Sequence, residues 1–304
     1  MSGIWSAEYW AKKGDVDLYM YRKCREQPAR GKNPPVLFLV HGSSFSSRPG
    51  YDMVVPGRTD YSQMDECAKM GFDVWTMDHE CYGRSSRTSG NSDIATGAED
   101  LKAASVVLDR ETGLNKYTFY GQSSGSLRAA LFAQNHPDKV ERLVLDAFVW
   151  TGEGSVTLAK RREGIDAYRG SNMRPVNRDS FRQSLTRDAP GVHTCEEGVI
   201  HALADAALKD GDSVPTGSFL DMCTKLPLVD PGKITCPVYI MRGDHDAIST
   251  LEDILNFYRL LPNTDKHFSM MAHSAHIAPL GINRHRFYHL LKGFLTLPPP
   301  RDQA

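Results

Sequence analysis

Lys116-Tyr117-Thr118-Phe119-Tyr120-Gly121-Gln122-Ser123-Ser124-Gly125-Ser126 is the stretch whose reading decides the fold. A β-prone run (Tyr-Thr-Phe-Tyr) meets Gly-x-Ser-x-Gly, and helix-prone Leu127-Arg128-Ala129-Ala130-Leu131-Phe132-Ala133 follows at once. The order is strand, sharp turn, helix. Gly121 and Gly125 carry no Cβ, so neighbouring backbones can pass close to the turn, and a Ser at its centre is thrust out of the sheet. Such a turn is a nucleophile elbow, and it makes Ser123 the candidate covalent nucleophile. Ser124 and Ser126 fall on the helix start, where Ser commonly caps.

Working outward, residues 36–40 (Val-Leu-Phe-Leu-Val) run apolar without alternation, as a strand buried on both faces does. They deliver His41-Gly42-Ser43-Ser44, where the Ser43 backbone N–H is a candidate oxyanion donor, although a plain strand-to-loop turn would read the same way. A polar loop is expected from there to residue 57. Residues 60–70 fit an amphipathic helix closed by Gly71; 72–78 form a strand leading into His79-Glu80-Cys81-Tyr82-Gly83-Arg84-Ser85; 93–111 form a helix. Beyond the elbow, 142–147 and 234–241 read as strands, 251–261 as a helix, 267–271 as a last strand and 284–295 as a final helix. Near the start, 16–21 alternates as an edge strand or hairpin arm, 31–35 punctuates the chain, and the tail 298–304 is expected to be extended. Strands alternating with helices imply α/β architecture, a mostly parallel doubly wound sheet with ligands at the carboxyl ends of its strands.

The rhythm breaks for roughly 80 residues between 150 and 232, far too many for an ordinary connection. The expectation is a core of residues 1–150 and 232–304 with an inserted helical cap over 151–231. The first part of that insertion is basic: Lys160, Arg161, Arg162, Arg169, Arg174, Arg178, Arg182 and Arg187 outnumber their acidic neighbours. An anionic substrate would suit it, but solvated helix faces explain such runs more simply.

A net charge of -1 over 304 residues gives no bulk attraction to nucleic acid or acidic membrane. No apolar run reaches the roughly 18 residues of a membrane span, and the N-terminus lacks a secretory pattern. Six scattered cysteines without metal-ligand spacing point to reduced thiols in a cytoplasmic protein. His193, Cys195 and His201 are not spaced as a metal site, and a surface role is expected for them. No metal or cofactor is implied, and a homodimer stays open.

A serine hydroxyl needs a base, and the base needs an orienting group. Ser123, Asp246 and His276 follow one another in the order Ser, acid, His, each at the end of an expected strand. With His41-Gly42, Asp78 before Tyr82-Gly83-Arg84-Ser85, Gly121-Gln122-Ser123-Ser124-Gly125 and Gly243-x-x-Asp246, the chain resembles the α/β-hydrolase-fold serine hydrolases with a helical cap, over about 18–297. Cys81 stands where that family often carries Gly. The resemblance implies Ser123 as nucleophile, His276 as general base and Asp246 as its orienter, with an oxyanion hole of the Ser43 and Ser124 N–H groups. It prefers His276 to His273, and Asp246 to Asp146, which remains an alternative acid. Asp78 and Asp244 read as loop anchors.

The implied activity is hydrolysis of a small to medium carboxylic ester or lactone through an acyl-enzyme. Amide cleavage, or carbon–carbon cleavage of an aromatic ring-fission product, would use the same triad. A ligand-binding receptor on the same scaffold is the rival from outside enzymology.

Overall fold

Apolar runs buried on both faces build the centre of this computed structural model, which describes residues 3–29 and 34–300. The chain begins with an antiparallel hairpin, β1 (Trp5–Lys13) and β2 (Val16–Cys24). Then come β3 (Val36–Val40), the short helix α1 (Ser47–Tyr51), α2 (Gln63–Lys69), β4 (Asp73–Met77) and α3 (Ile94–Thr112). The elbow joins β5 (Tyr117–Gln122) to α4 (Ser124–Asn135), and β6 (Val140–Asp146) follows. Residues 151–231 hold α5 (Val156–Glu163), α6 (Ile165–Arg169), β7 (Met173–Pro175), α7 (Arg178–Thr186), α8 (Glu197–Ala207), β8 (Ser213–Pro215) and α9 (Gly217–Thr224). The chain closes with β9 (Val238–His245), α10 (Leu251–Leu260), β10 (Lys266–Ala275) and α11 (Arg284–Leu295).

Eight strands make one sheet in the order β1-β2-β4-β3-β5-β6-β9-β10, parallel from β4 onward, with β1 and β2 antiparallel at one edge. Leu101 and Leu108 of α3, Phe132 of α4 and Phe257 of α10 share one core with Phe38, Phe119 and Ile240; Met64 of α2 and Phe287 and Leu291 of α11 share another with Leu39 and Met241. Helices on both faces explain the unbroken apolar strands. A third cluster, including Phe45, Tyr82, Phe181, Leu185, Val199, Leu203 and Ile277, packs residues 151–231 against the loops at the strand ends.

Several expectations shift. The hairpin arm at 16–21 is real, but its partner β1 was unforeseen, although Trp5, Ala7, Tyr9 and Ala11 alternate with polar or exposed neighbours. The strand expected at 234–241 starts at Val238, because Pro237 has no N–H for the ladder, and it runs on to His245. The last strand extends to Ala275, α1 interrupts the expected loop, and α2 starts only after Ser62, whose hydroxyl accepts the Asp65 N–H. The β7–β8 ribbon breaks the all-helical expectation for the insertion. The final helix matches. The turn at 31–35 and the tail at 298–304 fall partly outside the described residues.

Gly125 shows how tightly the elbow packs. A Cβ there would sit 2.1 Å from the Val40 carbonyl oxygen and 2.7 Å from that of His41, both backbone atoms of the neighbouring strand end. We expect Gly125→Ala to cost more than about 4 kcal/mol, read by urea unfolding or as loss of folded protein. A cost under about 1 kcal/mol would contradict this packing.

Candidate active site

Ser123 sits between β5 and α4 with φ 56° and ψ −124°, a conformation an L-residue adopts only under constraint. Its N–H donates to Asp146 O at 2.9 Å, and its own carbonyl accepts from Ser126 N–H at 2.9 Å. The Ser126 hydroxyl donates at 2.7 Å to Gly121 O and lies 2.8 Å from Asp146 O, so it ties the turn together rather than capping from outside.

His276 follows β10 and is buried. Its Nδ1 lies 2.8 Å from Asp246 Oδ1, just beyond the end of β9. The Asp246 carboxylate also accepts the Ile248 N–H at 3.0 Å, and Arg242 donates to the Asp246 carbonyl at 2.6 Å and to that of Ser249 at 3.1 Å. Burial alone would raise the Asp246 pKa, but the His276 charge and hydrogen bond, with the Ile248 N–H, hold it below the usual value. Asp146 is placed differently. It accepts from Tyr120 Oη at 2.7 Å, and burial, reinforced by the Asp246 charge, pushes its pKa up to about 7. His273, at φ 54° on the exposed rim, donates its N–H to Asp244 Oδ2, as Ser274 does to Oδ1. Asp244 therefore holds the loop that leads to His276.

The loop after β3 lies against the elbow: a Cβ on Gly42 would be 3.4 Å from Ser123 Cβ. Ser43 is buried, and its carbonyl accepts from Arg174 Nη2 at 2.8 Å and from Tyr82 Oη at 3.2 Å. Ser124 N–H is among the first-turn donors that an α-helix leaves without an internal partner. Underneath runs a buried polar network that sequence reasoning missed. His41 Nε2 accepts the His79 N–H at 3.1 Å, so its Nδ1 carries the proton toward Gly42 O at 2.6 Å. Burial, with His79 and Arg128 nearby, drives the His41 pKa well down and keeps it neutral. Arg128, fully buried on α4, donates to Ser92 O at 2.9 Å and to His41 O at 3.4 Å. Asp78 accepts from Ser47 N–H, Ser47 Oγ and Arg84 N–H at 2.9, 2.6 and 2.9 Å, anchoring two loops as expected. Cys81 has φ 67°, which accounts for a position that favours Gly, and its Sγ accepts the Thr88 N–H at 3.3 Å.

Ser123 and His276 line one small pocket of about 20 Å³ with Gly42, Ser43, Arg161 and Arg187. It adjoins a cavity of about 830 Å³ lined by Tyr168, Val176 and Phe219 and by Arg161, Arg174 and Arg187. Part of the basic run behaves as surface: Arg162, Arg169 and Arg178 are exposed, as is Lys160, which also lines the cavity. Arg161, Arg174 and Arg187 instead turn inward, contrary to the solvated-face reading. His193 and His201 are exposed, whereas Cys195 is buried in the third cluster and not on the surface.

A parallel sheet of this order, an elbow at the end of its fifth strand and an imidazole–carboxylate pair on the last two strand ends define an α/β hydrolase. The family described as serine aminopeptidase, S33 matches residues 55–278, and the chain belongs to that family of hydrolases. No curated protein sequence matches it. Solved structures with the same fold include a bromoperoxidase from Bacillus anthracis (19% identity, 96% of this chain and 100% of that one, TM-score 0.68). Others are a malate-bound thermophilic esterase from Thermogutta terrifontis (18%, 96% and 98%, 0.65) and the enol-lactonase from Burkholderia xenovorans LB400 (19%, 95% and 100%, 0.62). Among the described residues no helix is long and apolar enough to cross a membrane.

Proposed function

We propose that the protein is a serine hydrolase of small to medium carboxylic esters or lactones, working through an acyl-enzyme on Ser123. The observation that carries this is a strained Ser123 sharing a pocket with an imidazole already paired to a buried carboxylate. Ser123 Oγ attacks the carbonyl carbon while His276 Nε2 takes its proton. The tetrahedral oxyanion is held by the Ser43 and Ser124 N–H groups, each donor being worth about 2.7–4 kcal/mol of barrier in comparable sites. As the C–O bond breaks, His276 returns the proton to the leaving oxygen. Water then adds to the acyl carbon, giving its proton to His276, and as the bond from that carbon to Ser123 Oγ breaks, His276 returns the proton to Oγ and the acid is released. Asp246 orients the ring and stabilises the imidazolium.

Residues 151–231 serve in this reading as a cap over a core of 1–150 and 232–304, since they supply most of the cavity's lining. Six free, buried cysteines favour a reducing, cytoplasmic setting.

The test is covalent labelling with a fluorophosphonate, mapped by mass spectrometry, beside turnover of simple esters, lactones, an amide and a vinylogous diketone acid. Modification confined to Ser123 with ester or lactone turnover is expected. An unlabelled Ser123 would overturn the nucleophile, and turnover of the amide or the diketone acid alone would move the reaction class.

A further inference from the structure

The arginines that turn inward have a chemistry of their own. Arg161 and Arg174 stack on Phe219, each guanidinium carbon 4.0 Å from the ring centroid. Stacking occupies a guanidinium face and leaves its edge N–H groups to bind elsewhere. Arg174 uses one of these on Ser43 O, which makes it a support for the loop after β3. Arg161 Nη1 and Arg187 Nη2 are buried atoms with no hydrogen-bond partner among the described residues. Asp188 is the one acid lining the cavity; it accepts from Arg187 Nε at 3.1 Å and lies 3.4 Å from Thr157 Oγ1, so it engages a single edge of Arg187. Three inward guanidinium groups thus face one carboxylate.

Of these arginines, only Arg161 and Arg187 line both the cavity and the small pocket of Ser123 and His276. Buried charges are ordinarily paired, and unpartnered buried donors on residues that line a cavity are the common mark of a group that arrives with the ligand. Burial, followed by the nearby Arg187 and Arg174 charges, lowers the Arg161 pKa to about 9, which still leaves it charged at neutral pH. Such mutual repulsion is relieved by an anion.

Resting on the Ser123 hydrolase reading, we propose that the substrate carries an oxyanionic group, a carboxylate in the simplest case, seated between Arg161 and Arg187 within a few bonds of the carbonyl that Ser123 attacks. The remainder of the molecule would extend along Tyr168, Val176 and Phe219. A half-ester of a dicarboxylic acid is the minimal substrate of this kind; an acylated hydroxy acid places the anion on the leaving side instead.

The experiment compares matched pairs, monomethyl glutarate with methyl pentanoate and acetoxyacetate with ethyl acetate, in the wild type and in Arg161→Met and Arg187→Met. In at least one pair kcat/KM should favour the anion by roughly 30-fold or more, and each substitution should collapse that ratio. Arg161→Lys and Arg187→Lys, which keep the charge, should recover part of it and cover the case of a Met variant that does not fold. A second arm uses Ser123→Ala, where glutarate but not pentanoate should raise the unfolding temperature, an effect lost with Arg161→Met. Equal turnover within both pairs, with Ser123 still labelled by the fluorophosphonate, would overturn the charged-substrate inference and leave the hydrolase reading standing. Absence of labelling would sink the hydrolase reading and this inference with it. A glutarate shift that is missing, or that survives removal of the arginines, would also overturn the inference.

Discussion

Ser123→Ala is expected to lower kcat by roughly 10⁶-fold and to abolish fluorophosphonate labelling, because without Oγ no acyl-enzyme can form. Any remaining rate would come from the oxyanion donors and binding. The same position yields a test that involves no chemistry. Ser123 is held at φ 56°, ψ −124°, a strain of about 1–3 kcal/mol for a residue with a Cβ. Alanine keeps the Cβ and therefore the strain, whereas glycine removes it at some cost in chain entropy. Ser123→Gly should accordingly be inactive yet more stable than Ser123→Ala by about 1 kcal/mol, measured by urea denaturation. Equal stabilities would show that the elbow stores no strain at Ser123, and a Ser123→Ala variant within tenfold of wild type would remove Ser123 from the mechanism.

The second large effect is at the acid. Asp246→Asn should cost about 10⁴-fold in kcat while leaving the fold intact, since an amide keeps the shape but cannot hold the ring in the required tautomer or stabilise the imidazolium. Asp146→Asn is the control, as Asp146 bonds Tyr120 Oη and not His276. It should retain activity within about tenfold. Its stability also has a predictable sign. The Asp146 pKa stands near 7 in the folded protein against 3.8 in an unperturbed carboxyl. Protonated Asp146 is thus favoured by folding, and that contribution is complete below about pH 4 and lost as the pH rises through 7. Asp146→Asn should gain on the wild type in urea unfolding at pH 8 relative to pH 5. If Asp146→Asn rather than Asp246→Asn proves the slow enzyme, the assignment of the acid is reversed.

The order of the candidates Ser123, Asp246 and His276 was readable because each lies at a strand end, and strand ends are marked by local apolar runs and glycines. The pairing of His276 with Asp246 instead of Asp146 needed coordinates, since both acids close neighbouring strands. The His41–His79 network was invisible for a similar reason: its members are 38 residues apart, and no local period marks a buried polar contact. Ribbon strands of three residues are too short to show alternation. The basic run was misjudged because charge composition carries no direction. Arg161 and Arg162 are neighbours in sequence, but one lines the cavity while the other is exposed and donates to Cys223 O.

Four donors just after β6, the N–H groups of Trp150, Thr151 and Gly152 and the Thr151 hydroxyl, converge on the buried carboxylate of Asp253 in α10. Close by, the Ser155 hydroxyl and the Thr157 N–H both reach the carbonyl of Ala247, the residue after Asp246. For protein engineering this makes Thr157 an awkward target. It lines the cavity and would be an early choice for changing substrate preference, yet its N–H is tied to the loop that carries Asp246. A library at this position will mix altered selectivity with altered placement of Asp246, so variants from it should be ranked by pH–rate profile as well as by turnover.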